Sequence, residues 1–161
     1  MPSRAPVELS SKNDSRPRLG LRVLSLVMGG FLLLMGMDKL EWFTDGGAFL
    51  TSRLYEWIEV ARPAPRWYLE HVAIPYAPLF ARLVPVGEFA TGTALILGFQ
   101  VRLASIVAMF MVLNFHFASD ILFRYSYLIN GYGPPVLGSL LVLAINGARL
   151  PFALDRRQQV T

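Results

Sequence analysis

Four long apolar windows constrain the fold of this chain most strongly. They cover residues 19–37, 79–98, 103–122 and 132–148. A bilayer core of about 30 Å needs about 20 helical residues, so three windows have the length of a membrane span and the fourth lies near the lower limit. A closed β-barrel would need alternating polarity, which these windows lack. The sequence therefore predicts an all-α, integral membrane four-helix bundle.

Composition supports a membrane environment and narrows the chemistry. Hydrophobic residues make up 54% of the 161 residues and charged residues only 16%, against about 25% charged in soluble domains. The chain has no Cys, which excludes disulfides, thiol catalysis and iron–sulfur ligation. It has two His, and only His116 lies in an apolar window. We therefore expect no haem, no metal site and no nucleic-acid partner.

The distribution of charge predicts the orientation of the bundle. Lys and Arg are in excess in the N-terminal segment, in the short turn near Arg102 and at the C-terminus. The positive-inside rule therefore places both termini in the cytoplasm of a bacterial-type inner membrane. Residues 1–18 are then a disordered cytoplasmic tail and residues 150–161 a second tail. A cleavable signal peptide is the alternative for the first window, but no small-x-small cleavage site follows it.

The segment between the first two windows, residues 38–78, is too long for a bare loop. Apolar residues recur at helical spacing from Leu50 to Ala61, and the opposite face is polar. This pattern predicts an additional amphipathic helix on the outer surface, ended by Pro63 and Pro65. The helix either caps the bundle or covers a lateral entrance to it.

Glu88 lies near the centre of the second window. A charged side chain at this depth costs about 2.5–3.5 kcal/mol on insertion scales, so its presence needs a physical reason. One interpretation is a carboxylate that carries protons or anchors a polar ligand. The alternative is a structural Glu that is protonated or paired with a cation on a neighbouring helix.

Further ionisable residues fall in the same outer half of the bundle. His116, Asp120 and Arg124 follow at intervals of four, so a continuous helix would place them on one face, where they relay protons or form a hydrogen bond and salt bridge. Lys39 and Arg82 lie near the outer ends of the first two windows, where snorkelling to water is the alternative to a functional role. The predicted catalytic residues are Glu88, His116 and Asp120, and the predicted ligand-binding residues are Lys39, Arg82 and Arg124.

Short motifs connect the sequence to a known family. The segment GMDKL at residues 36–40 resembles the G-x-x-K-L element of DoxX-type membrane proteins. The stretch GEFATGTALILGFQVRLA at 87–104 resembles the second-span signature of that family, and segments 147–149 and 154–156 resemble the closing segment of its DoxD-like branch. The resemblance covers about residues 19–157.

The resemblance implies a four-helix membrane bundle and a link to quinones. Members of the family include the small subunit of thiosulfate:quinone oxidoreductase, which passes electrons from thiosulfate to membrane quinone. Lys39, Glu88 and Arg102 are the positions that match the family motifs.

Residues and resemblance together suggest a multi-pass inner-membrane subunit of a quinone-linked oxidoreductase. In this hypothesis the quinone enters from the membrane and meets Glu88, His116 and Asp120, which exchange protons with it. A membrane or soluble oxidoreductase subunit supplies the electrons. One alternative is a non-catalytic membrane anchor or assembly factor for a soluble redox enzyme. A second is a small-solute transporter.

Overall fold

The computed structural model describes residues 8–148 and 150–154, with side chains from residue 16 onward. This part of the chain is helical and contains no strand. Its elements in chain order are α1 (Glu8–Asp38), α2 (Glu41–Thr44), α3 (Ala48–Val60), α4 (Pro63–Tyr68), a π-helical turn (Leu69–Ala73), α5 (Ala77–Leu97), α6 (Val101–Ala118), a 3₁₀ turn (Tyr125–Ile129) and α7 (Pro134–Asn146).

Three segments are long and apolar enough to cross a membrane, namely Arg16–Thr44, Ala77–Leu97 and Val101–Ala118. The prediction of an all-α membrane protein is therefore confirmed. The fourth window forms α7, which has 13 residues and a length of about 20 Å at 1.5 Å per residue. It is thus shorter than the three long helices, because it begins only at Pro134 and is followed by Gly147.

The N-terminal boundary differs from the expected one. Helix α1 begins at Glu8, well before residue 19, so its first turns lie in the segment expected to be a disordered tail. Residues 1–7 and 155–161, which hold the remainder of the two expected tails, lie outside the described residues.

Helices α1 and α5 approach each other closely at a pair of glycines. A Cβ atom on Gly29 would lie 2.7 Å from the carbonyl oxygen of Gly92, and one on Gly92 would lie 2.9 Å from the carbonyl oxygen of Gly29. Small residues allow this kind of backbone contact between membrane helices. The contact fixes α1 against α5 and thereby sets which of their side chains meet.

Two arginines form hydrogen bonds at the end of the bundle where α5 ends and α6 begins. The buried Arg22 of α1 donates hydrogen bonds to the carbonyl oxygens of Leu95 and Ile96, at 3.0 and 2.6 Å, in the last turn of α5. Arg102 of α6 donates to the carbonyl oxygen of Ala144 near the end of α7, at 3.0 Å. These carbonyl groups lie in or near the last turns of α5 and α7, where the hydrogen bonds of the helix run out. The bonds of Arg22 link α1 to the end of α5, and the bond of Arg102 links the start of α6 to the end of α7.

The segment between α1 and α5 folds onto the other end of the bundle. Helix α3 buries Leu50 and Leu54, and these residues belong to a cluster that includes Ala77 and Ala81 of α5. Arg53, on the outer side of α3, is exposed. Helix α3 ends at Val60. The backbone of Arg62 is then extended, as is usual for a residue that precedes a proline.

Candidate functional site

A cavity of about 180 Å³ lies among α1, α5, α6 and the start of α7. Its walls are mainly apolar and aromatic, and four ionisable side chains, one of them a tyrosine, line it. None of the described residues that line it belongs to α3. The lining residues are Phe31, Leu32, Met35, Lys39, Glu88, Met111, Val112, Phe115, His116, Tyr132 and Val136.

Lys39 and Glu88 form a buried ion pair at this cavity. The Nζ atom of Lys39 lies 2.8 Å from Oε1 and 2.9 Å from Oε2 of Glu88, and it also donates to the carbonyl oxygen of Met35 at 2.9 Å. Each residue is 7% exposed. Lys39 therefore turns back toward its own helix and does not snorkel to water. One interpretation of Glu88 was pairing with a cation from a neighbouring helix, and Lys39 is that cation.

Gly36 makes this pairing possible. A Cβ atom at position 36 would lie 3.3 Å from the ring of Phe89 and 3.4 Å from Cβ of Glu88. The absence of a side chain lets α5 approach the last turn of α1 closely enough for the carboxylate to reach Nζ. An ammonium group and a carboxylate removed from water need such a partner, because each is costly to bury alone.

His116 lies in the last turn of α6 and is half-buried. Its Nδ1 atom lies 3.3 Å from the hydroxyl oxygen of Tyr127, and the two rings meet edge to face with centroids 5.3 Å apart. The structure therefore brings Glu88 and His116 from different helices to one cavity, together with Lys39.

The structure corrects the expectation for Asp120 and Arg124. Helix α6 ends at Ala118 and Asp120 has a positive φ of 56°, so these two residues do not continue the helical face of His116. Aspartate tolerates this left-handed conformation better than most residues. Asp120 does not line the cavity. Of the two alternatives for this row of residues, the structure shows the salt bridge, between Asp120 and Arg124, and no shared helix face for a relay from His116 to Asp120.

Asp120 instead forms a separate cluster with two arginines. Its side chain is fully buried and binds Nε of Arg62 at 2.9 Å and Nη2 of Arg124 at 2.8 Å. Burial acts to raise the pKa of Asp120, but hydrogen bonds and charges from Arg124 and Arg62 outweigh it and leave the pKa below its ordinary value. Asp120 is therefore ionised at neutral pH and is poorly suited to carry a proton.

Other residues also differ from expectation. Arg82 is exposed on α5 and does not line the cavity, so it is not brought together with Glu88. Sequence reasoning did not single out Arg62, Tyr127 or Tyr132. The two tyrosines are visible in the sequence only as part of an aromatic-rich outer region, because no regular spacing relates them to His116.

Among the side chains that the structure describes, no group of three or more His, Cys, Asp or Glu is placed to hold a metal ion. Lys39 Nζ is engaged by Glu88 and by the carbonyl oxygen of Met35, so the imidazole of His116 and the hydroxyl of Tyr132 are the groups that can bond a ligand within the apolar walls. This arrangement suits an uncharged, flat molecule with polar oxygen atoms.

The three long apolar helices and the ionisable cavity between them define a multi-pass helical membrane protein with a buried polar site. The chain belongs to the DoxX family, whose model matches residues 20–119. The match includes Lys39, Glu88 and His116 and ends before Asp120 and Tyr127. No curated protein and no solved structure matches the chain.

Proposed function

We propose that this protein is an inner-membrane subunit of a quinone-linked oxidoreductase and that the cavity receives the quinone head group. The observation that supports this proposal best is the meeting of Lys39, Glu88 and His116 at one cavity with apolar walls. Family membership supports it independently.

The cavity has the chemistry that a quinone head group needs. A quinone is a flat apolar ring with two carbonyl oxygens, so it requires aromatic or aliphatic walls and hydrogen-bond donors. Phe31, Met111 and Phe115 belong to the walls. The cavity of about 180 Å³ is smaller than a typical pocket for a drug-sized ligand, which suits a head group whose tail remains in the lipid. Tyr132 lines the cavity and is 62% exposed, so the cavity reaches the surface there.

Reduction of a quinone to a quinol consumes two electrons and two protons. The electrons come from a partner oxidoreductase subunit, membrane-bound or soluble. His116 can pass each proton to the quinone by giving one from one ring nitrogen and taking up another, supplied by water, at the other nitrogen, while Lys39 stays paired with Glu88. Asp120 is excluded from this role because two arginines hold it ionised away from the cavity.

The charge distribution supports an orientation with both termini in the cytoplasm. Arg22 and Arg102 lie at the same end of the bundle, and this end faces the cytoplasm in the proposal. Lys39 lies toward the opposite end, so quinone enters from the outer part of the membrane.

Isothermal titration of the detergent-solubilised protein with a short-chain quinone tests the proposal. His116→Ala should weaken binding by about tenfold, which corresponds to about 1.4 kcal/mol, as expected for a hydrogen bond in the site. Glu88→Gln should weaken it by a similar factor because it leaves the ammonium group of Lys39 uncompensated beside the ligand. Arg82→Gln, which alters an exposed position outside the cavity, should leave binding unchanged. Unchanged affinity in both cavity variants would refute the proposed site.

A second candidate is a non-catalytic membrane anchor for a soluble redox enzyme. It is favoured by the apolar surface of the loop before α7, where Tyr125 is 83%, Leu128 68% and Ile129 80% exposed. In that case a stoichiometric soluble partner would copurify, and Leu128→Ser would release it. The isolated protein would then bind no quinone.

A further inference from the structure

His116 and Tyr132 are the cavity residues with a hydrogen-bonding side chain still available to a ligand, and His116 is the half-buried one of the two. The ammonium group of Lys39 already contacts both oxygens of Glu88 and the carbonyl oxygen of Met35. His116, in contrast, lines the cavity, and its ring forms one hydrogen bond within the described part of the chain, through Nδ1. Nε2 is therefore the nitrogen left to contact a ligand.

The partner of Nδ1 is a buried tyrosine hydroxyl. Tyr127 is 9% exposed, and His116 is its hydroxyl's one hydrogen-bond partner among the described residues. A buried tyrosine hydroxyl normally donates its hydrogen to an acceptor, and among the described residues Nδ1 of His116 is the acceptor within reach. In a neutral imidazole the other nitrogen then carries the proton. The expected tautomer of His116 has its hydrogen on Nε2.

The backbone near α7 holds the Tyr127 ring in place. A Cβ atom on Gly133 would lie 2.6 Å from Cε2 and 3.0 Å from Cζ of Tyr127, so the ring occupies the space that any side chain at position 133 would need. The amide of Tyr127 also donates to the carbonyl oxygen of Arg124 at 2.9 Å. The 3₁₀ turn therefore presents the hydroxyl to His116 from a fixed backbone.

We propose that Tyr127 is a positioning residue that keeps His116 in the Nε2–H tautomer and so directs an N–H donor into the cavity. This inference rests on the proposed function for the identity of the ligand, in which that donor binds a carbonyl oxygen of the quinone. Tyr127 itself does not line the cavity and acts through His116. The cavity therefore favours a ligand that has a hydrogen-bond acceptor next to Nε2 of His116.

Nitrogen-15 NMR of the histidine rings in detergent micelles tests the tautomer directly. The chain has two His, and the second provides an internal reference. Nδ1 of His71 lies 2.9 Å from the carbonyl oxygen of Trp67, which can only accept, so that nitrogen should be protonated. We expect opposite tautomers at neutral pH, Nε2–H for His116 and Nδ1–H for His71, with the signals assigned in His71→Gln. A His116 ring protonated at Nδ1 alone would overturn the proposal.

Variants test whether Tyr127 is responsible. Tyr127→Phe keeps the ring and removes the hydroxyl, so the Nδ1 resonance of His116 should shift while that of His71 stays. Tyr132→Phe, which removes the hydroxyl of a cavity tyrosine that does not bind His116, should leave both unchanged. Gly133→Ala should displace the Tyr127 ring and reproduce the shift. An unchanged Nδ1 resonance in Tyr127→Phe would overturn the proposal.

Titration with a short-chain quinone separates the two proposals. If both hold, quinone shifts the Nε2 resonance of His116, and Tyr127→Phe weakens binding by about fivefold, the effect of about 1 kcal/mol. If no quinone binds but the tautomer depends on Tyr127, the proposed function fails and the positioning role stands. If quinone binds but the tautomer does not depend on Tyr127, the positioning role fails and the proposed function stands.

Discussion

Replacement of Lys39 by Met removes the cation that stabilises the buried Glu88 carboxylate. The Nζ–Oε1 distance of 2.8 Å corresponds to an attraction of about 6 kcal/mol at an effective dielectric constant of about 20. Desolvation of both charges offsets part of this gain, so the pair contributes less than the Coulomb energy. The carboxylate that remains after the substitution is nevertheless buried and uncompensated. We therefore expect Lys39→Met to lower the free energy of unfolding by about 3–5 kcal/mol.

A double-mutant cycle isolates this interaction. Glu88→Met should be similarly destabilising, since it leaves the ammonium group of Lys39 without a carboxylate. The double variant Lys39→Met/Glu88→Met places two apolar side chains in the same space and should recover most of the loss. Unfolding is followed in mixed micelles of increasing SDS fraction, by helicity and by the fluorescence of the three tryptophans, of which Trp42 has its ring 5.9 Å from Nζ of Lys39.

An exposed ion pair in the same chain provides the matched control. Nη1 of Arg53 lies 2.8 Å from Oε2 of Glu56, and the two side chains are 53% and 56% exposed. Arg53→Met should therefore lower the free energy of unfolding by about 0.3–0.5 kcal/mol. If Lys39→Met costs no more than Arg53→Met, or if the double variant is as unstable as the sum of the single ones, the reasoning about the buried pair is refuted.

Two further predictions concern packing and pH. Gly29→Ala should destabilise the protein by about 1–3 kcal/mol because its methyl group would lie 2.7 Å from the carbonyl oxygen of Gly92, whereas Gly30→Ala, with nothing within 4 Å, should be neutral or slightly stabilising in thermal unfolding. Equal effects would contradict the close helix contact. Asp120→Asn should cost about 2–3 kcal/mol at pH 7. Because the pKa of Asp120 is lowered in the folded protein, its contribution is complete above the ordinary Asp pKa of about 3.9 and is lost as pH falls below it. The free energies of unfolding of the wild type and of Asp120→Asn should therefore converge as the pH falls below that value. A difference between them that does not depend on pH would contradict the lowered pKa of Asp120.

Hydropathy was sufficient to predict where the three long helices lie and both ends of α5. Helix α5 was expected at 79–98 and runs from Ala77 to Leu97, because a continuous apolar stretch bounded by Pro78 and Gly98 leaves little choice. Gly98 has a positive φ of 69°, as is common for a glycine that ends a helix. These are local properties of the chain, and a sequence displays them directly.

The end of α6 was not predictable in this way. The apolar window continues to residue 122, and the chain contains no Gly or Pro near Ala118 to mark an end. Asp120 leaves the helix where it meets Arg62, which is 58 positions away. A carboxylate that binds two arginines from outside the helix can offset the loss of further helical hydrogen bonds. Such a distant contact has no signature in the local sequence.

The site was predicted only in part, because it too depends on contacts between residues that are distant in the sequence. The depth of Glu88 and the position of His116 indicated a polar site in the outer half of the bundle, and both residues reach one cavity. The partner of Glu88 depends on Gly36, whose lack of a side chain lets Lys39 and Glu88 meet. Whether a terminal lysine snorkels or turns inward depends on such packing, which hydropathy does not report.

Photolabelling with a quinone that carries a reactive group on its ring tests the central claim most directly. The protein in liposomes is labelled, digested and analysed by mass spectrometry, with unlabelled quinone as competitor. We expect saturable labelling of cavity residues such as Phe31, Met111 and Phe115, reduced in His116→Ala and Glu88→Gln. Labelling that does not compete, or that falls on the separate open groove between Phe89 and Leu154, would contradict quinone binding in the cavity.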